Sequence, residues 1–283
     1  MKHFLFLLSF TFGLIITSAQ KAPYVIYTAK GKKVSYKKML KSLEEKDMVL
    51  FGELHNNPIA HWLQFELTSD LSTKKPLILG AEMIEADNQD ELNAYLSDKI
   101  DAKALDTVAR LWPNHKTDYA PLVDFAKDKE LVFVATNVPR RYANMVYKNG
   151  FEALDSLSNE EKSWIAPLPI TFDPELPGYQ NILKMMGDHG SPTLVMAQAI
   201  KDATMAYFIL QNYKENSLFI HYNGAYHSNN YEGILWYLQL DRPDLAYGTI
   251  STVSQEDVQN LEEKNKGIAD FIICVDKNMT TTY

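Results

Sequence analysis

Short apolar runs alternate with stretches of helical periodicity along most of this chain. Six runs are apolar at nearly every position and mostly bounded by polar or turn residues, as strands buried on both faces of a sheet are. The predicted strands are Met48–Phe51, Leu77–Ala81, Leu131–Thr136, Leu218–Tyr222, Ala246–Thr252 and Phe271–Val275. Tyr24–Tyr27 is a further candidate, as an edge strand.

Several helices between these strands have recognisable ends. Their signals are an N-cap followed by proline, a glycine just past the last turn, and a capping box. They predict helices from Asn57-Pro58 to Leu71, over Arg140–Asn149 before Gly150, from Ser158 with Glu161, and from Ser191-Pro192 over about 23 residues to Tyr213.

Strands that alternate with helices predict parallel βαβ units. We therefore expect a layered α/β domain, with a mainly parallel sheet flanked by helices, over residues 20–283. The stretches 87–128 and 151–190 are mainly helical or irregular in pattern. They are predicted to form a helical lid over the carboxyl ends of the strands.

The N-terminus has the pattern of a secretory signal peptide. A basic start precedes an apolar run from Phe4 to Ile16, and Thr17-Ser18-Ala19 offers small residues for cleavage after Ala19. Residues 1–19 are thus predicted to be removed, and the protein to be secreted or periplasmic. No cysteine follows the run, so no lipid attachment and no stable membrane anchor are expected.

Charge and cysteine content exclude several function classes. The net charge of −8 argues against a nucleic-acid partner and against a polybasic membrane surface, because both need a basic excess. The single cysteine, Cys274, excludes an intramolecular disulfide and cysteine-cluster metal sites. Its place in the last apolar run predicts an inert core thiol.

Ionisable residues follow four of the predicted strands. In a parallel sheet the carboxyl ends meet over one crevice, so this edge is the predicted functional site. The segments are Gly52-Glu53-Leu54-His55, Gly80-Ala81-Glu82, Asn137-Val138-Pro139-Arg140-Arg141 and Asn223-Gly224-Ala225-Tyr226-His227.

Two of these segments share the form Gly-x-x-His, where glycine allows a tight turn that aims the imidazole into the crevice. His55, His227 and Glu82 can then ligate Zn²⁺, Mn²⁺ or Co²⁺ and leave a position for water, with Glu53 as general base or supporting partner. The alternative is that both histidines only hold loops by hydrogen bonds. Arg140 and Arg141 either clamp a carboxylate or phosphate or form a solvated helix start.

The helix after Asn57 carries His61, Gln64 and Glu66 without the His-Glu-x-x-His pattern of a metalloprotease. His61 is interpreted as a packing or surface residue that lies near the loop. No nucleophile elbow, phosphate-cradling loop or dinucleotide fingerprint is present in the sequence.

A second cluster precedes the long helix. Tyr179, Met185, Met186 and His189 lie between two glycines, and this composition is typical of an adaptable apolar slot with a ligand at each end. Phenolate and imidazole both bind ferric haem iron. The alternative interpretation is a mobile lid segment packed by methionine.

Several blocks together resemble the ChaN-like haem-binding uptake family, whose wider superfamily includes the Tiki, TraB and erythromycin esterase proteins. The blocks are Gly52-Glu53-Leu54-His55 with His61 and Gln64, Gly80-Ala81-Glu82-Met83, Trp112 through Tyr119, Asn137-Val138-Pro139-Arg140, Ala197-Gln198 with Asp202-Ala203-Thr204-Met205-Ala206, and Gly224-Ala225-Tyr226-His227. They span roughly residues 48–275.

The resemblance implies a parallel-sheet core with a helical lid and a role in binding haem for iron acquisition, often in a dimer around stacked haems. By position it implies Tyr179 and His189 as haem ligands, and we add Met186 and Arg140 to the haem-binding set. The resemblance also relates the Gly-x-x-His pair and Glu82 to metal or catalytic residues.

Two functional hypotheses follow. The first is an exported haem-binding protein, with haem as partner and a homodimer around it. The alternative is a metal-dependent hydrolase of peptides or esters, in which Glu53, His55, Glu82 and His227 are catalytic.

Overall fold

Seven strands form one sheet within residues 21–283, the part of the chain that the computed structural model describes. The strands are β1 (Tyr24–Thr28), β2 (Met48–Glu53), β3 (Leu77–Glu85), β4 (Val132–Asn137), β5 (Leu218–Gly224), β6 (Tyr247–Gln255) and β7 (Phe271–Asp276). Their spatial order is β1-β7-β6-β2-β5-β3-β4. Only β1 runs antiparallel to its neighbour, and it lies at the edge as predicted.

Ten α-helices connect and cover these strands within the described residues. They are α1 (Tyr36–Leu43), α2 (Pro58–Ser72), α3 (Gln89–Leu96), α4 (Ala102–Val108), α5 (Ala120–Asp128), α6 (Arg140–Asn149), α7 (Asn159–Lys162), α8 (Pro177–Met186), α9 (Pro192–Asn212) and α10 (Ile234–Asp241). Strands that alternate with helices in this way form a layered α/β structure, so the predicted fold class is confirmed.

Alternate residues of each strand pack on opposite faces of the sheet, which is why the strands are apolar throughout. Val49 and Phe51 join the core cluster that contains α2 and α5. Met48 and Leu50 join the cluster on the other face, with α9 and α10. Both layers are therefore needed to bury the sheet.

The predicted helix ends are present in the structure. The Asn57 side chain accepts hydrogen bonds from the first backbone N–H groups of α2, and Ser158 forms a capping box with Glu161. Gly150 follows α6 with a φ of 76°, a left-handed conformation that favours glycine. Ser191 caps α9, which has 21 residues, slightly fewer than predicted.

The two stretches predicted as a lid differ in their packing. Helices α3, α4 and α5 bury Leu92, Leu105 and Leu122 in the main core, so much of residues 87–128 forms the helical layer on one face. The stretch 151–190 contains α7 and α8 between irregular segments. Only one residue of α8 is buried, as is typical of a peripheral lid.

The predicted signal peptide, residues 1–19, lies outside the described residues. In residues 21–283, none of the helices has the length and apolar character that crossing a membrane requires.

Candidate functional site

The carboxyl ends of three neighbouring strands bring the main candidate residues together. β5 lies between β2 and β3 in the sheet, and Glu53 is in register with Gly224. The pairing of β3 with β4 is irregular between Ala81 and Glu85, and such irregularities re-aim side chains. Glu53 and Glu82 lie within the strands, because the ladders continue past the apolar runs that predicted them.

His55 is oriented by a buried carboxylate. Its Nδ1 lies 2.9 Å from Oε1 of Glu53, which is 1% exposed. The same carboxylate accepts hydrogen bonds from Gln64 Nε2 at 2.6 Å and from the Tyr119 hydroxyl at 2.8 Å. Burial alone would lower the pKa of His55, but the hydrogen bond to Glu53 and the charge of Glu82 outweigh it and raise the pKa. His55 is thus a basic imidazole that remains partly open to solvent, with a side chain that is 36% exposed.

A layer of polar side chains holds the loop that carries His55. His61 places Nε2 3.0 Å from the His55 carbonyl oxygen and Nδ1 3.2 Å from Gln64 Oε1. The Asn114 amide donates to the same carbonyl at 3.0 Å and to Asp118 at 2.6 Å. The interpretation of His61 as a packing residue near the loop agrees with these contacts.

Glycine at 224 gives His55 the room to approach the end of β5. A Cβ at this position would lie 2.7 Å from both Nε2 and Cε1 of the His55 ring and 3.5 Å from Glu82 Oε2. A Cβ on Gly52 would lie 2.9 Å from the Ile250 carbonyl oxygen. Both glycines lie in strands, so the prediction that they form tight turns is corrected: they permit close approach of neighbouring groups.

His227 lies between two buried carboxylates. Its Nε2 is 3.2 Å from Glu82 Oε1, and its Nδ1 is 2.5 Å from Asp202 Oδ1. Burial opposes the charge on the ring, but the two carboxylates outweigh burial and raise the pKa of His227 to about 10. Burial likewise opposes the charge on Glu82, yet His227, His55 and the Gly224 N–H hold the pKa of Glu82 well below its usual range. His227 is therefore a buried imidazolium.

This ion pairing does not suit the predicted metal ligand set. His55, Glu82 and His227 do meet at one edge, but both nitrogens of His227 already contact carboxylates, so a metal ion would have to displace Glu82 or Asp202 from the ring. Within residues 21–283 no group of three or more His, Cys, Asp or Glu side chains is placed to hold a metal ion. The structure therefore gives no support to a divalent metal here.

The residues predicted to bind haem do not share one environment. Tyr179 is 4% exposed, and its hydroxyl donates to Asp202 Oδ2 at 3.1 Å. Met186 is 44% exposed, and His189 follows it on the exposed surface. Arg140 is exposed at the start of α6. The structure thus separates the buried tyrosine from the exposed methionine and histidine.

Arg141 and Cys274 both make their contacts within the fold. Arg141 pairs with Asp87 and lies over the rings of Tyr142 and Trp164. Cys274 is fully buried in β7, where burial raises the pKa of its thiol to about 12. A thiol in this environment is unreactive.

Tyr226 and Asp202 occur in the sequence motifs, but the sequence does not predict either as a site residue. Tyr226 is 67% exposed, with its hydroxyl 3.8 Å from the sulfur of Met185. Asp202 is 1% exposed in the middle of α9. A lone aspartate in a helix apolar around much of its circumference was the available signal for Asp202, because buried carboxylates need partners.

Comparisons with known proteins agree with this architecture. A solved structure of Campylobacter jejuni ChaN, described as showing cofacial haem binding, superposes with a TM-score of 0.66 at 17% identity, over 88% of this chain and 96% of that one. An erythromycin esterase in its open conformation gives a TM-score of 0.52 at 10% identity, over 91% and 98% of the two chains. At these identities the likeness concerns the fold alone.

Sequence comparison adds a curated relative and a family. The chain is 24% identical over 199 residues to the chloroplastic protein RETICULATA-RELATED 5 of Arabidopsis thaliana, and it spans only 26% of that protein's length. Residues 39–238 match the family described as haem-binding uptake, Tiki superfamily, ChaN. The chain belongs to this ChaN family of haem-binding uptake proteins.

Proposed function

We propose that this protein binds haem on the exposed surface formed by Met185, Met186, His189 and Tyr226, here called the lid surface. Membership in a haem-binding family supports haem as the ligand. The observation that carries the location is the exposure of three large side chains, with Met185 at 62%, Met186 at 44% and Tyr226 at 67%. The Tyr226 hydroxyl lies 3.8 Å from the Met185 sulfur, and adjoining exposed apolar groups are typical of binding surfaces.

The side chains of the lid surface suit a porphyrin. Methionine is flexible and polarizable, so it adapts to a flat aromatic ligand. Phenolate and imidazole both coordinate ferric haem iron, and Tyr226 and His189 offer one of each. Tyr226 is the better placed tyrosine, because Tyr179 would have to break its hydrogen bond with Asp202 to reach a ligand on the surface. We therefore assign the iron to Tyr226, with His189 as the alternative ligand.

Export and haem acquisition extend the proposal. The signal-peptide pattern of residues 1–19 supports a secreted or periplasmic protein that takes up haem for its iron. A porphyrin on an open surface leaves one face uncovered, and the haem-loaded surface of a second copy of this chain can cover it, so that each copy keeps one haem. We accordingly expect haem to promote a homodimer, measured as a doubled mass by light scattering after hemin addition.

A hemin titration tests the proposal. Micromolar protein should shift the Soret band and give a saturable 1:1 curve, and Tyr226→Phe should change the ligand-sensitive visible bands. Tyr147→Phe, at a 46% exposed tyrosine of α6, is the matched control and should leave spectrum and affinity unchanged. A hemin spectrum unaltered by the protein would refute haem binding, and identical spectra for wild type and Tyr226→Phe would refute the ligand assignment.

A second candidate function is hydrolysis with His55 as general base. The observation that favours it is the hydrogen bond from His55 to buried Glu53, which orients the imidazole and leaves its Nε2 for a water molecule. Ester or peptide cleavage should then resist chelators and disappear in His55→Ala. Activity that requires added Zn²⁺, Mn²⁺ or Co²⁺ would restore the metal-dependent hypothesis instead.

A further inference from the structure

Helix α8 is attached to the rest of the protein by few buried contacts. Of its ten residues only Tyr179 is buried, whereas Met185 and Met186 are exposed. The helix ends at Gly187, which has a φ of 51° and no heavy atom within 4 Å of the position that a Cβ would take. Segments with little buried surface open more readily than the core.

The one buried side chain of α8 reaches the ion-pair cluster. The Tyr179 ring packs beside Phe172, Val195 and Ala199. Its hydroxyl donates to one oxygen of Asp202 at 3.1 Å, while the other Asp202 oxygen accepts from His227 Nδ1 at 2.5 Å.

A continuous hydrogen-bonded path therefore joins α8 to the sheet. It continues from His227 to Glu82, which accepts from the Gly224 N–H at 2.7 Å. Because Asp202 is shared by the two donors, a change at Tyr179 alters the carboxylate that contacts Nδ1 of His227.

A second polar contact holds the start of the same helix. Glu232 Oε2 accepts from the Gly178 N–H at 2.5 Å. Glu232 follows β5 and the loop that carries Tyr226 and His227. The Tyr179 tether thus reaches His227 through Asp202 of α9, and the Gly178 tether reaches the segment that follows His227.

We propose that the Tyr179 hydroxyl is a latch, which closes α8 over the Asp202–His227–Glu82 cluster and couples the lid surface to it. Tyr179 is then a positioning residue that controls opening of the lid and does not itself ligate iron. The described conformation is the latched one. Opening α8 about Gly187 would expose Asp202 from the side of the lid surface. The haem part of this inference rests on the proposed function, whereas the latch concerns the protein without ligand.

Hydrogen exchange in the ligand-free protein tests the latch. Tyr179→Phe removes one hydrogen bond to a carboxylate and keeps the ring, so exchange across residues 177–190 should rise roughly ten- to hundredfold. Exchange in β5 should not change. The matched control is Tyr142→Phe, because Tyr142 is also a buried tyrosine whose hydroxyl bonds a carboxylate, that of Glu161, away from α8. Unchanged exchange across 177–190 in Tyr179→Phe would overturn the proposal.

A second variant tests whether the effect of Tyr179→Phe is only a local repacking of the ring at position 179. Glu232→Gln weakens the other tether without touching the core, and in combination with Tyr179→Phe it should raise exchange across 177–190 further. If Glu232→Gln alone opened the segment fully and Tyr179→Phe added nothing, the latch would lie at Glu232 and the proposal would fail.

Hemin binding to the same variants separates the latch from a ligand role. Tyr179→Phe should change the hemin affinity at least severalfold while the absorption maxima stay those of the wild type. Altered maxima would make Tyr179 an iron ligand and overturn the latch. If neither protein bound hemin, the proposed function would fail, and the exchange result would still decide on the latch.

Discussion

Replacing His227 with glutamine should destabilise the protein strongly, because the ring carries a positive charge between two buried carboxylates. Glu82 is 5% exposed and Asp202 is 1% exposed. Removing one partner of a buried ion pair costs about 3–5 kcal/mol. Here each carboxylate keeps one donor, the Gly224 N–H for Glu82 and the Tyr179 hydroxyl for Asp202. We therefore expect the lower end of that range, about 3 kcal/mol.

The dependence on pH distinguishes a charge effect from a packing effect. In the wild type the pKa of His227 is raised from 6.5 to about 10, so the contribution of its charge is fully present below pH 6.5 and is lost as pH rises toward 10. In the variant the side chain at position 227 no longer titrates, so this source of pH dependence is absent. The difference between the two proteins should thus be larger near pH 6.5 than near pH 9.

Urea unfolding followed by tryptophan fluorescence measures both quantities. The control is His189→Gln, at an exposed histidine, which should change the free energy of unfolding by less than about 0.5 kcal/mol. A loss below about 1 kcal/mol for His227→Gln, or a loss equal at both pH values, would refute the assignment of His227 as a buried cation.

Three further variants test other parts of the site. Burial lowers the pKa of His221 to about 4 from 6.5, so between these pH values the unfolded chain binds a proton that the folded protein does not. About 3 kcal/mol of stability should therefore be lost as pH falls from 6.5 to 4. His221→Gln should flatten that part of the stability–pH curve. Gly224→Ala should displace the ring of His55 and cost about 1–3 kcal/mol, seen as a lower urea midpoint and a shifted imidazole NMR signal; an unshifted signal would contradict the close approach. Gln64→Leu removes a hydrogen bond to buried Glu53 and should cost about 1.5–3 kcal/mol; a urea midpoint unchanged from wild type would contradict that role.

Much of the fold could be predicted because each element has local signals. Strands buried on both faces are apolar throughout, and the caps at Asn57, Ser158 and Ser191 mark helix starts within a residue or two. The strand order could not be predicted, because it depends on contacts between distant segments. β5, more than 160 residues after β2 in the chain, is its direct neighbour.

The meeting of the candidate site residues at one edge of the sheet could be predicted from the sequence, but their hydrogen-bond partners could not. Residues that follow parallel strands converge by topology, so Glu53, His55, Glu82 and His227 were expected at one edge. Their partners come from elsewhere: Asp202 from the interior of α9, and Tyr119 from the connection between β3 and β4. The sequence does not show that Asp202 contacts the His227 ring, so His227 is predicted there as a neutral metal ligand. In the structure Asp202 and Glu82 favour the charged form of the ring.

The two Gly-x-x-His segments show why the same short pattern can give different chemistry. His55 is partly exposed and has one nitrogen bound to a carboxylate, whereas His227 is buried with carboxylates at both nitrogens. A histidine takes up or delivers protons near neutral pH only if one nitrogen is free to exchange. His55 meets that condition and His227 does not, since its pKa lies near 10. A ligand that enters this edge of the sheet therefore meets His55 as the adaptable group, while His227 keeps the two carboxylates together.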